Sequence, residues 1–524
     1  MASASTKPIA SHSSSGSASP AMPQLTGGML IGAAMLLAAA NFIAVLDTTI
    51  ANVSVPNIAG ALGATSSQGT YVITSYAVAE AITVPLTGWL AGRFGAVRVF
   101  VSAMVLFGLF SALCGLAPSL NMLVAFRIFQ GLAGGPMIPL SQTLLLRIFP
   151  KEKASAAIGL LGTTTLVAPV LGPILGGVLC DHLGWSSVFL INVPVALACG
   201  YFAWQLLKKF ETVLLKVKID AIGMGLLVVW IAAMQIALDE GKDKDWFASP
   251  EIVALAIIAV IGFASFIIWE LTEKHPVVDI RVFRHRGFSS GVVTLCLTFG
   301  AFFGATVLTP LWLQTYMGYT ATWSGYTTAM TGVLAVVAAP FAAKLSGKFD
   351  GRWLVFFGVL WIGAITLWRT HATVEMTHWQ IAFPLLLQGV GLPFFFMPLT
   401  GIALGSVDES EVASAAGLMS FCRTVAGAFA TSLVNTGWEN QTKVYHADLA
   451  GLTDPSGSYA QELVKSGMTP DVARGMIDQL ATSQAVMLAT NHIFTIAGLA
   501  FILAACAIWF APKPAHAVDT SQAH

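Results

Sequence analysis

Fourteen apolar runs of membrane-spanning length fill almost the whole of this 524-residue chain. They centre near 28–51, 70–91, 97–117, 121–146, 155–179, 186–207, 220–238, 251–271, 288–313, 323–345, 352–369, 379–404, 412–434 and 487–510. A helix needs about 20 mostly apolar residues to cross a bilayer. Inside lipid every backbone N–H and C=O must be paired within the segment, and a helix does that alone. None of the runs alternates as a membrane strand does. The expected fold is an all-α polytopic membrane protein with 14 transmembrane helices. Composition agrees: 56% of residues are hydrophobic and 10% are charged, against about 25% charged in soluble proteins.

The charges give an orientation. Arg93 and Arg98 follow span two; Arg147, Lys151 and Lys153 follow span four; Lys208, Lys209, Lys216 and Lys218 follow span six. Lys274, Arg281, Arg284 and Arg286 follow span eight, and Lys344, Lys348 and Arg352 follow span ten. The loops after spans one, three, five and nine hold no Lys or Arg. Basic loops stay cytoplasmic, so both termini are expected there. One loop dissents: 405–411 carries Asp408, Glu409 and Glu411 and no cation. Net charge is zero, so no bulk field draws nucleic acid.

The chain repeats itself. Pro85-x4-Leu90-Ala91-Gly92-Arg93-Phe94 matches Pro340-x4-Leu345-Ser346-Gly347-Lys348-Phe349; Gln130-Gly131 matches Gln388-Gly389; Ala154-Ser155-Ala156-Ala157 matches Ala413-Ser414-Ala415-Ala416. The offsets stay between roughly 255 and 259, as two parallel six-helix halves around a midplane site require. The expected division is a disordered tail at 1–27, a first half at 28–208, two inserted helices at 209–275, a second half at 276–511 and a tail at 512–524. A long polar segment near 436–486 is expected as an outer loop. Within it Thr469-Pro470-Asp471 reads as a helix start, and 471–480 as a short amphipathic helix.

Ionisable side chains inside spans are expensive and mark function. Four stand out: Asp47, Glu80, Arg127 and Arg423. Asp47 and Arg127 lie at matched depth, about 7–9 Å below the outer surface at 1.5 Å per residue. Two readings fit that pair: a proton switch, in which the acid titrates as its arginine moves, or a static ion pair. Glu80 sits near the midplane, suited to carry a proton, to contact substrate or simply to hydrogen-bond a neighbouring helix. Arg423 is equally deep. The repeat partners of Arg127 and Arg423 are Leu385 and Thr164, so neither arginine is a symmetric scaffold feature. Pro169, Gly172, Pro173, Gly176 and Gly177 crowd span five, a pattern for close helix approach or a hinge. Candidates to line a substrate cavity are Glu80, Gln130, Trp312, Tyr316, Gln388 and Phe395.

No phosphate-binding loop, zinc cluster or nucleophile elbow occurs. Six cysteines fall in or at the edge of apolar runs and make no disulfide or metal pattern. No enzyme activity, metal or cofactor is expected, and the energy comes from an ion gradient or from the substrate's own gradient.

Four ordered motifs carry a family likeness: Leu46-Asp47-Thr48-Thr49-Ile50-Ala51-Asn52-Val53, Gly88-Trp89-Leu90-Ala91-Gly92-Arg93-Phe94-Gly95, Arg127-Ile128-Phe129-Gln130-Gly131, and Gly172-Pro173-Ile174-Leu175-Gly176-Gly177. The chain resembles the major facilitator superfamily in its fourteen-helix drug–proton antiporter branch, and within it the EmrB-type multidrug efflux pumps. Leu238-Asp239-Glu240-Gly241-Lys242, Asp245-Trp246-Phe247 and Arg284-His285-Arg286 fit that group. The resemblance implies proton-driven export of hydrophobic toxins from the bacterial inner membrane, with a periplasmic EmrA-like adaptor and a TolC-like outer-membrane channel as partners. It assigns Asp47 and Arg127 to proton coupling, Gly88, Arg93, Gly95 and Arg98 to a cytoplasmic gate, and the span-five motif, from Pro169 to Gly177, to antiport. Gly92 stands where the superfamily usually has an acid. Two other readings keep the sequence open: a metabolite, siderophore or fatty-acid exporter of the same fold, and a non-transporting membrane sensor or membrane enzyme. The repeat and the buried charges argue against the second.

Overall fold

The computed structural model describes residues 27–149, 154–212, 214, 220–241, 243–274, 276–346, 348–408, 411–452 and 458–512. The tails up to residue 26 and from 513, with Lys151, Lys153, Lys216, Lys218, Lys242, Gly347 and Glu409, lie outside these ranges.

Among the described residues the chain is helical throughout and has no strand. The first half comprises α1 (Gly27–Ala61), α2 (Ser66–Gly69), α3 (Tyr71–Thr83), α4 (Thr87–Phe94), α5 (Ala96–Gly115), α6 (Leu120–Gly134), α7 (Met137–Ile148), α8 (Ala154–Leu183), α9 (Ser186–Leu190) and α10 (Asn192–Leu207). The inserted pair is α11 (Ala221–Glu240) and α12 (Pro250–Thr272). The second half comprises α13 (Arg286–Thr315), α14 (Ala321–Ser346), α15 (Gly351–Trp368), α16 (His378–Leu404), α17 (Val412–Leu452), α18 (Ser458–Lys465) and α19 (Pro470–Ala507). Among the described residues twelve segments are long and apolar enough to cross a membrane. Span two, as α3 plus α4, and span five, as α8, complete the expected fourteen.

Two spans expected as single helices are broken. Pro85 lacks the N–H that would continue α3, and the helix restarts at Thr87. Gly134-Gly135-Pro136 interrupts span four between α6 and α7. The two breaks lie against each other: a Cβ on Gly135 would stand 2.9 Å from the Glu80 carbonyl oxygen.

The end of the chain differs most from expectation. Thr469 does cap a helix, accepting from the Val472 N–H, with Pro470 in the first turn. That helix is not a short surface piece, because no breaker separates it from the last apolar run. It continues as α19 for 38 residues. On the other side α17 runs on for 41 residues, far past the expected end of span thirteen. At 1.5 Å per residue α17 is about 60 Å long, twice the roughly 30 Å of a hydrocarbon core. The polar segment is thus mostly a helical hairpin, held by His446–Asp478 at 3.0 Å and a Tyr445–His492 contact.

α8 packs on α1 within its own half and on α14 of the other half, and α3 meets α17 across the opposite seam. α11 touches both α3 and α17, so the inserted pair sits beside that seam. The hydrogen bonds joining the halves gather at the end away from the basic loops. Gln314 Nε2 donates to the Val53 carbonyl at 2.7 Å, Asn57 to Gln314 Oε1 at 3.1 Å, the Thr322 N–H to Asp181 at 2.7 Å, and Asn435 to Ser67 Oγ at 2.7 Å. At the basic end no hydrogen bond crosses between the halves among the described residues. The dissenting acidic loop is explained there: Arg284 bonds Glu411 at 2.7 Å and Asp408 at 3.3 Å, and His285 meets Glu411 at 2.9 Å. Asp408 and Glu411 are thus paired with the neighbouring basic loop.

Candidate functional site

Asp47 and Arg127 are both fully buried, and their depth match brings them into contact. Arg127 Nη1 donates to Asp47 Oδ2 at 2.6 Å. The pair sits in a cage drawn from the first half alone. Asp47 Oδ1 accepts from Asn192 Nδ2 at 2.6 Å and from Gln130 Nε2 at 3.2 Å. Arg127 also donates through Nε to the Val72 carbonyl at 2.9 Å and through Nη1 to Gln130 Oε1 at 2.9 Å. Its guanidinium lies 4.3 Å from the Tyr76 ring centroid and 5.5 Å from that of Phe189. Asn192 Nδ2 reaches on to Ser111 Oγ at 3.2 Å, and Ser111 donates to the Phe189 carbonyl at 2.8 Å. Close packing makes this possible. Gly131 presses on the Tyr76 carbonyl, where a Cβ would collide with α3.

The arrangement is a fully buried carboxylate with three donors and a fully buried guanidinium with three acceptors. Each charge is compensated and hydrogen-bonded, which is what makes burial tolerable. Chemically it has one soft point. The Asp47 carboxylate joins α1 to both α6 and α10, and a proton there would cancel the charge that holds Arg127.

α1 also reaches the seam. One turn beyond Asp47, Thr49 and Ile50 pack on Gly172 and Gly176 of α8; a Cβ on Gly176 would stand 2.8 Å from the Ile50 carbonyl oxygen. Gly177 presses instead on Ala321 and Thr322 of α14, and Gly325 on the Pro173 carbonyl. The span-five glycines therefore serve both the α1 contact and the cross-half contact. Pro169 and Pro173 lie inside a continuous α8.

Glu80 of α3 and Arg423 of α17 come from opposite halves. Each is the principal opposite charge acting on the other, and neither side chain makes a hydrogen bond among the described residues. Arg423 has its guanidinium 5.5 Å from the Phe299 ring and 5.8 Å from that of Phe396. Beside them on the same seam, Asp239 of α11 accepts from Thr74 at 2.9 Å, from Gln235 at 2.9 Å and from Ser432. It ties α3 of one half to α17 of the other.

The expected cavity residues are not gathered into one place. Gln130 belongs to the Asp47 cage. Trp312 is buried near Phe494. Tyr316 is partly exposed and packs edge-on to Trp438 at 5.7 Å. Gln388 is buried and donates to Thr366 Oγ1 at 3.1 Å. Phe395 is buried in an apolar cluster that the second half shares with α3, α11 and α12. Among the gate residues, Gly88 has open space, Arg93 is exposed, and Gly95 has φ +98° at the end of α4. The acid missing at Gly92 is matched by Glu211, whose carboxylate accepts the N–H groups of Val97 at 2.9 Å and Arg98 at 3.1 Å. That places a negative charge on the N-terminus of α5, where the helix dipole favours it.

Several working residues escaped the sequence. Asn192 was visible as an amide inside an apolar run. Glu211 and Asp239 lay at loop ends, where acids are ordinary. Arg369 stood at the expected end of span eleven and was not singled out, yet it is 7% exposed.

Residues 37–431 match the family model of the major facilitator superfamily. The chain belongs to the major facilitator superfamily. Among major facilitator proteins it is 42% identical to the multidrug export protein EmrB of Escherichia coli strain K12, over 94% of this chain and 97% of that one. It is 41% identical to the fatty acid resistance protein FarB of Neisseria gonorrhoeae, over 94% and 98%. The fold is similar to that of a bacterial homologue of the human lysosomal transporter Spinster, in an inward-facing and unoccupied conformation. That match has a TM-score of 0.62 at 15% identity, covering 94% of this chain and 100% of that one. A peptide-bound POT-family transporter aligns with a TM-score of 0.63 at 14% identity, covering 91% and 95%. This major facilitator chain is accordingly a multi-pass membrane protein of the EmrB type.

Proposed function

We propose that this protein is a proton-driven exporter of hydrophobic drugs and toxins in the bacterial inner membrane, with both termini cytoplasmic. The observation that carries the reading is the Asp47–Arg127 pair, buried at 2.6 Å with Gln130 and Asn192 on the same carboxylate. Protons are the coupling ion, and no other cofactor or enzyme activity is called for. Proton uptake at Asp47 releases α1, and through Val53 and Asn57 the release reaches the latch to Gln314. The sealed end then opens and substrate leaves. Glu80, held near Arg423 across the seam, is the second carboxylate in the cycle. The similarity to a multidrug export protein, EmrB, and to a fatty acid resistance protein, FarB, supports export of lipophilic compounds, fatty acids among them.

The reading includes a tripartite assembly. The hairpin of α17 and α19 stands beyond the bundle on the side opposite the basic loops, where a periplasmic EmrA-like adaptor and, through it, a TolC-like channel would meet it. The test of the core reading is flux in proteoliposomes under an imposed pH gradient. Asp47→Asn is expected to abolish acceleration by the gradient while the purified protein keeps its size-exclusion profile. Undiminished acceleration in that variant would overturn the assignment.

A further inference from the structure

Arg369 is a second buried guanidinium, and it has no carboxylate. It lies at the end of α15 that faces away from the basic loops, 7% exposed. Its one hydrogen bond among the described residues runs from Nη2 to Thr309 Oγ1 at 2.8 Å. Its guanidinium rests 4.1 Å from the Phe494 ring centroid. A buried cation without a counter-charge is the most expensive thing a membrane protein can keep.

The shortage is built into the helices around it. α13, α15 and α16 hold no Asp or Glu along their whole lengths. α19 has Asp471 and Asp478, but the nearer is about 24 Å along the helix from Phe494 at 1.5 Å per residue. Glu375, in the loop that follows, is exposed. Yet there is room for something else. Arg369 lines a partly open recess of about 50 Å³ with Trp312, Trp368, Met376, Ile381 and Phe494, and no acid lines it. A drug-sized pocket is about 300–1,000 Å³. Since one water takes about 30 Å³, this recess fits a headgroup, not a whole ligand. Trp368 leads from it to the outer surface, where it pairs with Phe383 at 6.2 Å; both rings are about half exposed. Charge inside and exposed aromatics outside describe an amphiphile bound head-first.

We infer that Arg369 and its recess bind the anionic oxygen headgroup of an amphiphile, such as a fatty-acid carboxylate, with the tail on the α15–α16 face. That the bound molecule is cargo rests on the export reading; binding itself does not. Recognition is a charge-assisted pairing of guanidinium with oxygen anion in an apolar wall, separate from the Asp47 cage. An anionic lipid headgroup offers the same chemistry as a free carboxylate, and the experiment separates the two.

Full-length protein in nanodiscs of phosphatidylcholine, with no pH gradient, is titrated with dodecanoate and with uncharged dodecyl maltoside. Arg369→Met is expected to weaken dodecanoate about tenfold or more, the loss of one charge-assisted bond, and dodecyl maltoside far less. Arg369→Lys should keep part of the preference. Equal dodecanoate affinity in wild type and Arg369→Met overturns the inference. Should Arg369→Met fail to fold, a photoreactive dodecanoate with its label beside the carboxylate decides on the wild type. Cross-links to 369–384 or to Trp312 support the site, and cross-links only elsewhere overturn it. Adding phosphatidylglycerol identifies the source: protection means lipid shares the recess, and no protection means free carboxylate is preferred. Because no gradient is applied, failure here is distinct from failure of proton-driven flux.

Discussion

The two halves of this transporter share an architecture and treat a buried arginine in opposite ways. In the first half Arg127 comes from α6 and finds Asp47 at 2.6 Å, with Gln130 and Asn192 completing the cage. In the second half the matching position is Leu385, and the guanidinium comes from the neighbouring span as Arg369, with a threonine hydroxyl as partner. Gln388, the repeat partner of Gln130, bonds Thr366 and holds no charge. One half is electrically complete, its guanidinium and carboxylate paired. The other is incomplete and has an opening beside the charge. Duplication supplied the frame, and the placement of acids made the halves different.

The sharpest break of that comparison is Asp47→Ala. It leaves Arg127 buried without its anion, a cost of about 3–5 kcal/mol, and should remove gradient-driven flux as well. Thermal unfolding in detergent and proteoliposome flux check both. The reverse change is Thr309→Asp, which gives Arg369 the acid it lacks. A bond to a charged group contributes about 1.5–3 kcal/mol, so the melting temperature should rise and dodecanoate binding should fall. Unchanged binding would mean the recess does not use the guanidinium. The two glutamines should then separate: Gln130→Leu should impair proton coupling, whereas Gln388→Leu should cost about 1 kcal/mol of stability, one ordinary hydrogen bond, with coupling kept. Smallest is Thr469→Ala, which removes the cap of α19 for about 1 kcal/mol. Its effect should appear as faster hydrogen exchange near residue 470 and nowhere else.

Much of the fold was legible because lipid leaves so few options. Run length gave the spans, and the basic loops gave an expected orientation. The repeat placed Arg127 and Arg423 outside the symmetry. Asp47 and Arg127 could be matched by depth, since rise per residue is fixed. What escaped were features set by neighbours distant in sequence. Glu211 and Asp239 look like loop acids until Val97, Arg98, Thr74 and Ser432 arrive beside them. Arg369 stood at a span end, where a long cation normally snorkels; only the packing of Trp312 and Phe494 keeps it inside. The polar stretch after span thirteen read as a loop because hydropathy falls there, and hydropathy does not report that helical hydrogen bonding continues. The aromatic residues expected around one cavity share a composition and not a location.

The length of α17 has a mechanical consequence. It is one unbroken helix of 41 residues with no proline inside it. Arg423 lies near one end, Ser432 and Asn435 at the latched seam, and the hairpin at the other. Such a rod cannot absorb rotation along its course. Each degree of tilt at the Val412 end moves the Leu452 end by about 1 Å, given 1.5 Å of rise per residue. The tip is a pointer whose angle spells out, outside the bundle, which way the two halves stand.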